Sequence, residues 1–127
     1  MPIEFEHDRE RNILVVAMRG DISDDDLVAY ARLAVEDPEI DAETNDYIDL
    51  AGLTSTSTSS GGLRRMEVVL EKGGRIRNTG RMAIHAPDDL PFGMARVFQA
   101  YRDGSPIEVR VFRTEAEARR WIGLEPG

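Results

Sequence analysis

Cysteine is absent from this 127-residue chain, which excludes disulfides and thiolate metal sites. Only two histidines occur, His7 and His85, so imidazole metal chemistry has few candidates and no metal site is expected. No apolar run approaches the roughly 20 residues that a membrane helix needs. Glu4, Glu6 and Asp8 interrupt the first residues where a signal peptide would be apolar. The expectation is a cytoplasmic protein with no membrane insertion. Neither Gly61-Gly62 nor Gly73-Gly74 matches a phosphate loop with its lysine, and there is no Gly-x-Ser-x-Gly elbow. No cofactor is expected.

The chain does have enough apolar residues, 41%, for a hydrophobic core, and its length suits one domain spanning 1–127. Its net charge of −8 argues against nucleic acid, whose binding depends on neutralising phosphates. The charge is unevenly placed, with 15 acidic and 4 basic residues in 1–60 but 9 acidic and 12 basic in 61–127. That pattern suits an ordinary solvated surface. It also suits a basic face formed by Arg64, Arg65, Lys72, Arg75, Arg77 and Arg81, meeting an acidic partner or ligand.

Ile3 and Phe5 alternate with glutamates as a half-buried strand, and Asp8 to Asn12 reads as a hairpin turn. Ile13 to Met18 is a nearly continuous apolar strand that Gly20 closes. Ser23 and Asp26 form a capping box for a helix from about Asp24 to Glu36. Asp24, Asp25 and Asp26 are read as capping residues in its first turn rather than metal ligands. A central strand, Tyr47 to Leu50, leads into seven hydroxyl residues, Thr54 to Ser60, and a helix over about Ser59 to Lys72 that Gly73-Gly74 ends. Met82 to His85 is the next strand. Pro87 to Pro91 reads as a turn before a helix from about Phe92 to Arg102, with Met94, Val97, Phe98 and Tyr101 inward. Pro106 follows that helix. Ile107 to Val111 alternates as an edge strand, and Thr114 with Glu117 opens a last helix that buries Ala118, Trp121 and Ile122.

This order implies an α/β sandwich with a five-stranded, mostly parallel sheet, an N-terminal hairpin and about four helices. Sites in such sheets gather at the carboxyl ends of the strands, here the Thr54–Gly62 loop, the segment after His85, and Phe112 to Thr114.

The element order, together with Ile48-Asp49-Leu50 leading through the hydroxyl run to Ser59-Ser60-Gly61, resembles a STAS domain, as found in bacterial anti-sigma-factor antagonists. In that family a comparable strand leads to Asp-Ser-Ser-Gly, and a partner kinase phosphorylates the first serine. The resemblance implies Ser59 as the phosphosite and a protein as partner. Thr58 stands where the family has aspartate, and Gly62-Leu63-Arg64-Arg65 departs from its small apolar run. The stretches Phe92 to Arg96 and Glu108 to Arg113 are more similar to poorly characterised bacterial STAS-like or lipid-binding-like proteins.

Three functional expectations result. The first is a noncatalytic regulatory or protein-interaction domain, with Ser59 as switch and Thr58, Ser60, Gly61, Arg64, Arg65 and His85 around the partner or ligand loop. A phosphate on Ser59 would gain from the helix dipole and from Arg64 or Arg65 one turn on. A plain N-cap role explains the same serine. The second is a binding domain for a small apolar or anionic ligand, held between the second and third helices. A homodimer surface is the other use for apolar residues of 92–101 left exposed. The third and weakest is a serine hydrolase using Ser59 or another loop serine with His85 and Asp49.

Overall fold

The alternating strand and helix periods fold into nine elements, seen in a computed structural model that describes residues 3–41, 43–73, 80–104 and 107–124. They are β1 (Ile3–Asp8), β2 (Ile13–Ile22), α1 (Asp24–Glu36), β3 (Asn45–Thr56), α2 (Ser60–Lys72), β4 (Arg81–His85), α3 (Asp89–Tyr101), β5 (Glu108–Phe112) and α4 (Glu115–Ile122). The side chains of Ser55, Thr56 and Ser60 lie outside the described set, as do Gly74, Arg75, Arg77 and Pro106. The sheet runs β1-β2-β3-β4-β5, with β1 antiparallel to β2 and the later neighbours parallel. The expected hairpin, mostly parallel sheet and edge position of β5 are all present.

A strand order that steps in one direction puts α1, α2 and α3 on the same face. Leu14, Val16, Ile48, Leu50, Met82 and Ile84 pack against them in the larger core. Each fully buried aliphatic contributes about 2 kcal/mol to that core. Side-chain alternation sends Ile13, Tyr47 and Ala83 to the other face, where α4 covers them with Ala118 and Ile122.

Several boundaries differ from the periodicity reading. β2 does not close at Gly20 but continues to Ile22, with Gly20 at φ +72° and a register shift beside it. β3 likewise extends to Thr56, because Asp21 and Ile22 pair with Ser55 and Thr56. Three of the seven residues of the expected hydroxyl loop, Thr54 to Thr56, are therefore strand. α3 starts at Asp89 rather than Phe92, and Pro91 sits in its first turn, where its missing N–H costs nothing. That helix buries Pro91, Ala95 and Phe98, leaving Met94 and Tyr101 half-buried and Val97 exposed. Trp121 is also only half-buried. At α4 the Thr114 hydroxyl donates to Glu117 Oε1 (2.8 Å) and accepts from the Glu117 N–H (3.4 Å). The cap thus closes on the hydroxyl.

Candidate functional site

Three residues, Ser57 to Ser59, connect β3 to α2, and each is stitched to the corner between β2 and α1. The Ser57 hydroxyl donates to Asp21 Oδ2 (3.2 Å) and its N–H to the Ile22 carbonyl (3.0 Å). The Thr58 hydroxyl donates to the same carbonyl at 2.9 Å. Ser59 is the N-cap of α2, accepting from the Gly62 N–H at 3.1 Å. At the same time its hydroxyl donates to Asp24 Oδ2 (2.8 Å) and its N–H to Asp24 Oδ1 (2.7 Å). The connector is therefore a clasp between two helix starts, with Ser57 and Ser59 still exposed.

Asp24 stands in the first turn of α1 as expected, but its bonds to the start of α2 are what sequence reasoning missed. Ser23 and Asp26 complete the capping box of α1. Asp24 is not needed there and instead reaches the N-terminus of α2, where a carboxylate is favoured by the open N–H groups and the dipole. The backbone and hydroxyl bonds from Ser59, with Arg65 nearby, hold its carboxyl below the ordinary carboxylate range. Its approach also explains Gly62, since a Cβ there would lie 2.0 Å from Asp24 Oδ1. A surplus aspartate in one first turn and a Gly-Gly pair in another were the only signals in the sequence.

The two arginines diverge. Arg65 approaches Asp25 of α1 (3.6 Å), whereas the Arg64 guanidinium lies over the Tyr101 ring of α3, 5.9 Å from its centre. Arg65 is thus on the Ser59–Asp24 side and Arg64 on the α3 side. Gly61 meets only the Ser59 hydroxyl oxygen, 3.5 Å from where its Cβ would be.

His85 belongs to a different place. It is buried on β4 and its Nδ1 lies 3.1 Å from Asp49 Oδ1 on β3, directly across the parallel register. Ile48 and Ile84 point to the α1–α3 core, so Asp49 and His85 alternate onto the α4 face. Asp49 is the ring's one hydrogen-bond partner among the described residues, and the Ser59 hydroxyl is committed to Asp24. The structure thus joins His85 to Asp49 but does not bring Ser59 to them, and a Ser59-His85-Asp49 triad is not assembled. Among the described residues no three His, Asp or Glu side chains group to hold a metal ion. No described helix is long and apolar enough to cross a membrane.

A cavity of about 90 Å³ lies between the sheet and the three helices, walled by Leu50, Leu63, Met66, Ile84, Met94 and Phe98. Its polar lining is Thr58 near the clasp, and Asp46 and Arg102 at the opposite end. Arg102 is buried, with its Nη1 3.6 Å from Glu67 Oε1 of α2. Burial pushes the Glu67 carboxyl above its usual value, while Arg102 and Arg64 oppose the shift.

No protein-family model and no curated protein sequence matches the chain. Among solved structures it is similar to an uncharacterised protein of the DUF3478 family with a SpoIIAA-like fold, from Shewanella loihica PV-4. The TM-score is 0.63 at 19% identity, over 94% of this chain and 93% of that one. It is also similar to the anti-sigma factor antagonist SpoIIAA in its unphosphorylated form, with a TM-score of 0.56 at 16% identity over 95% and 97% of the two chains. The chain has the SpoIIAA-like fold, the fold that the element order had implied.

Proposed function

We propose that this chain is a noncatalytic regulatory domain that engages a protein partner through the end of β3 and the start of α2, with Ser59 as its phosphorylatable switch. The observation that carries the reading is the position of Ser59, exposed at a helix start with its hydroxyl hydrogen-bonded to the first residue of another helix. A similar structure is that of an anti-sigma factor antagonist described in an unphosphorylated form, which supports a fold able to serve such a switch. A phosphate on Ser59 would remove the hydroxyl donor and set new negative charge against Asp24, with Asp25 and Asp26 in the same turn. The clasp would open and the surface at both helix starts would change. Intact-mass measurement of the protein from its native cells, with peptide mapping of residues 54–65, tests this. Phosphate on Ser59 is expected, and unmodified protein throughout growth and stress would sink the reading.

The same geometry predicts the effect of Ser59→Asp. An N-cap aspartate keeps the bond from Gly62 but faces Asp24 with like charge. Thermal unfolding should show a lower Tm than the parent, and adding Asp24→Asn to the same chain should recover most of the loss. If Ser59→Asp has the same Tm with and without Asp24→Asn, the clasp carries no such coupling.

The cavity favours a second reading, a binding domain for a small apolar ligand. Its walls are apolar, and Arg102 at one end is already engaged by Glu67, which favours an apolar over an anionic guest. A guest that binds the native state raises its stability by mass action. Small hydrocarbons and short-chain alcohols should raise the Tm of the parent, and Met66→Trp, which fills the space, should abolish that rise. An unchanged Tm with the whole set would remove this reading.

A further inference from the structure

Among the described residues four large hydrophobic side chains are exposed, namely Leu33, Val68, Leu90 and Val97. Leu33 and Val68 are each the one large exposed hydrophobic side chain described on α1 and on α2. Leu90 and Val97 are different. They are 58% and 40% exposed and lie seven residues apart on α3, with exposed Gly93 and Ala100 completing an outward stripe at i, i+3, i+7 and i+10. A Cβ on Gly93 would meet nothing within 4 Å, so nothing inside the chain requires that glycine. Along the border of the stripe stand Asp89 and Arg96, again seven residues apart and of opposite charge. Arg96 is exposed and has no ion-pair partner among the described residues, and Asp89 is 97% exposed while holding Arg113 through one oxygen.

We propose that this face of α3 is a homodimer surface, on which two copies of α3 cross antiparallel beside Gly93. The sequence is self-complementary in that arrangement. A two-fold axis next to Gly93 sets Leu90 against the second copy's Val97 and Asp89 against its Arg96, and each contact occurs twice. Glycine and alanine along the stripe let the helices approach closely, as small residues do at tight helix crossings. A helix carrying charge of one sign would not fit itself in this way, whereas Asp89 and Arg96 pair across the axis. The interface is independent of the Ser59 reading.

The absence of native cysteines gives a direct test. Gly93→Cys in the full chain should form a disulfide-linked dimer on mild oxidation, while the control Arg32→Cys, exposed on α1, should not. Sedimentation equilibrium of the parent should show a reversible dimer. Leu90→Asp and Arg96→Glu should each weaken it by about tenfold or more. Restoring the charge pattern with Asp89→Arg/Arg96→Glu should recover association relative to Arg96→Glu alone. Leu90→Asp changes a mostly exposed side chain, so it separates lost association from lost folding. A parent that stays monomeric, cross-linking no faster at Gly93→Cys than at Arg32→Cys, or a dimer indifferent to Leu90→Asp would each overturn the proposal and assign the stripe to another occupant.

Discussion

Gly62→Ala is expected to destabilise the fold by about 1–3 kcal/mol, although the same change at Gly61 should be neutral or stabilising. Alanine is the better helix former by about 1 kcal/mol, so propensity alone predicts a gain at both positions. Packing decides between them. A Cβ on Gly61 meets only the Ser59 hydroxyl oxygen at 3.5 Å, an ordinary contact. A Cβ on Gly62 would lie 2.0 Å from Asp24 Oδ1, 2.2 Å from its Cγ and 2.7 Å from its Cβ. The last distance is decisive, because Asp24 Cβ is fixed to the first turn of α1 and cannot rotate away. Asp24 must then shift with its helix and give up both bonds to Ser59. Urea unfolding of Gly62→Ala, Asp24→Ala and the double variant forms a cycle in which the double should lose less than the sum of the singles. Strict additivity would mean that Asp24 and Gly62 do not meet as described.

The same pair shows what the sequence could and could not reveal. Local rules worked where local chemistry dominates. Ser23 with Asp26, the nearly continuous apolar run of β2, the Gly73 stop of α2 and the Thr114 cap all have their causes within a few residues of chain. The failures lie where a partner far along the chain decides. The hydroxyl run reads as a loop because serine and threonine favour turns, yet its first half pairs with β2 and its second half is stitched to the β2–α1 corner. Ser59 was legible as a cap, but not its bonds to Asp24, which lies 35 residues back. Likewise His85 and Asp49 were both named, and the parallel register of β3 and β4 makes them neighbours. Only the alternation of faces shows that they are turned away from the core that α2 covers. Pro91 misled in the opposite direction, since a proline that stops a helix in its middle is harmless in its first turn.

Arg102→Met should cost about 3 kcal/mol at neutral pH, and most of that loss should disappear in acid. Arg102 is buried at the end of α3, and Glu67 of α2 faces it across the seam over the cavity. Removing one partner of a buried pair costs about 3–5 kcal/mol, because Glu67 then keeps only the weaker compensation of Arg64. The lower end applies because Glu67 keeps some contact with water, which screens it. Desolvation raises the Glu67 carboxyl above its ordinary 4.5, the Glu71 charge adds to the rise, and Arg102 and Arg64 counter it. For an acid whose folded pKa is raised, the associated stability is fully present below the unfolded value and is lost as pH rises through the folded one. Without Arg102 the folded value moves higher still. The variant should therefore be closest to the parent near pH 4.5 and fall progressively behind above it. Glu67→Gln/Arg102→Met, which removes the Glu67 charge as well, should recover much of the loss at neutral pH. Unfolding curves at about pH 4.5 and about pH 7.5 distinguish charge from packing. If Arg102→Met loses the same stability at both, its role is to fill space between α3 and the sheet rather than to neutralise Glu67.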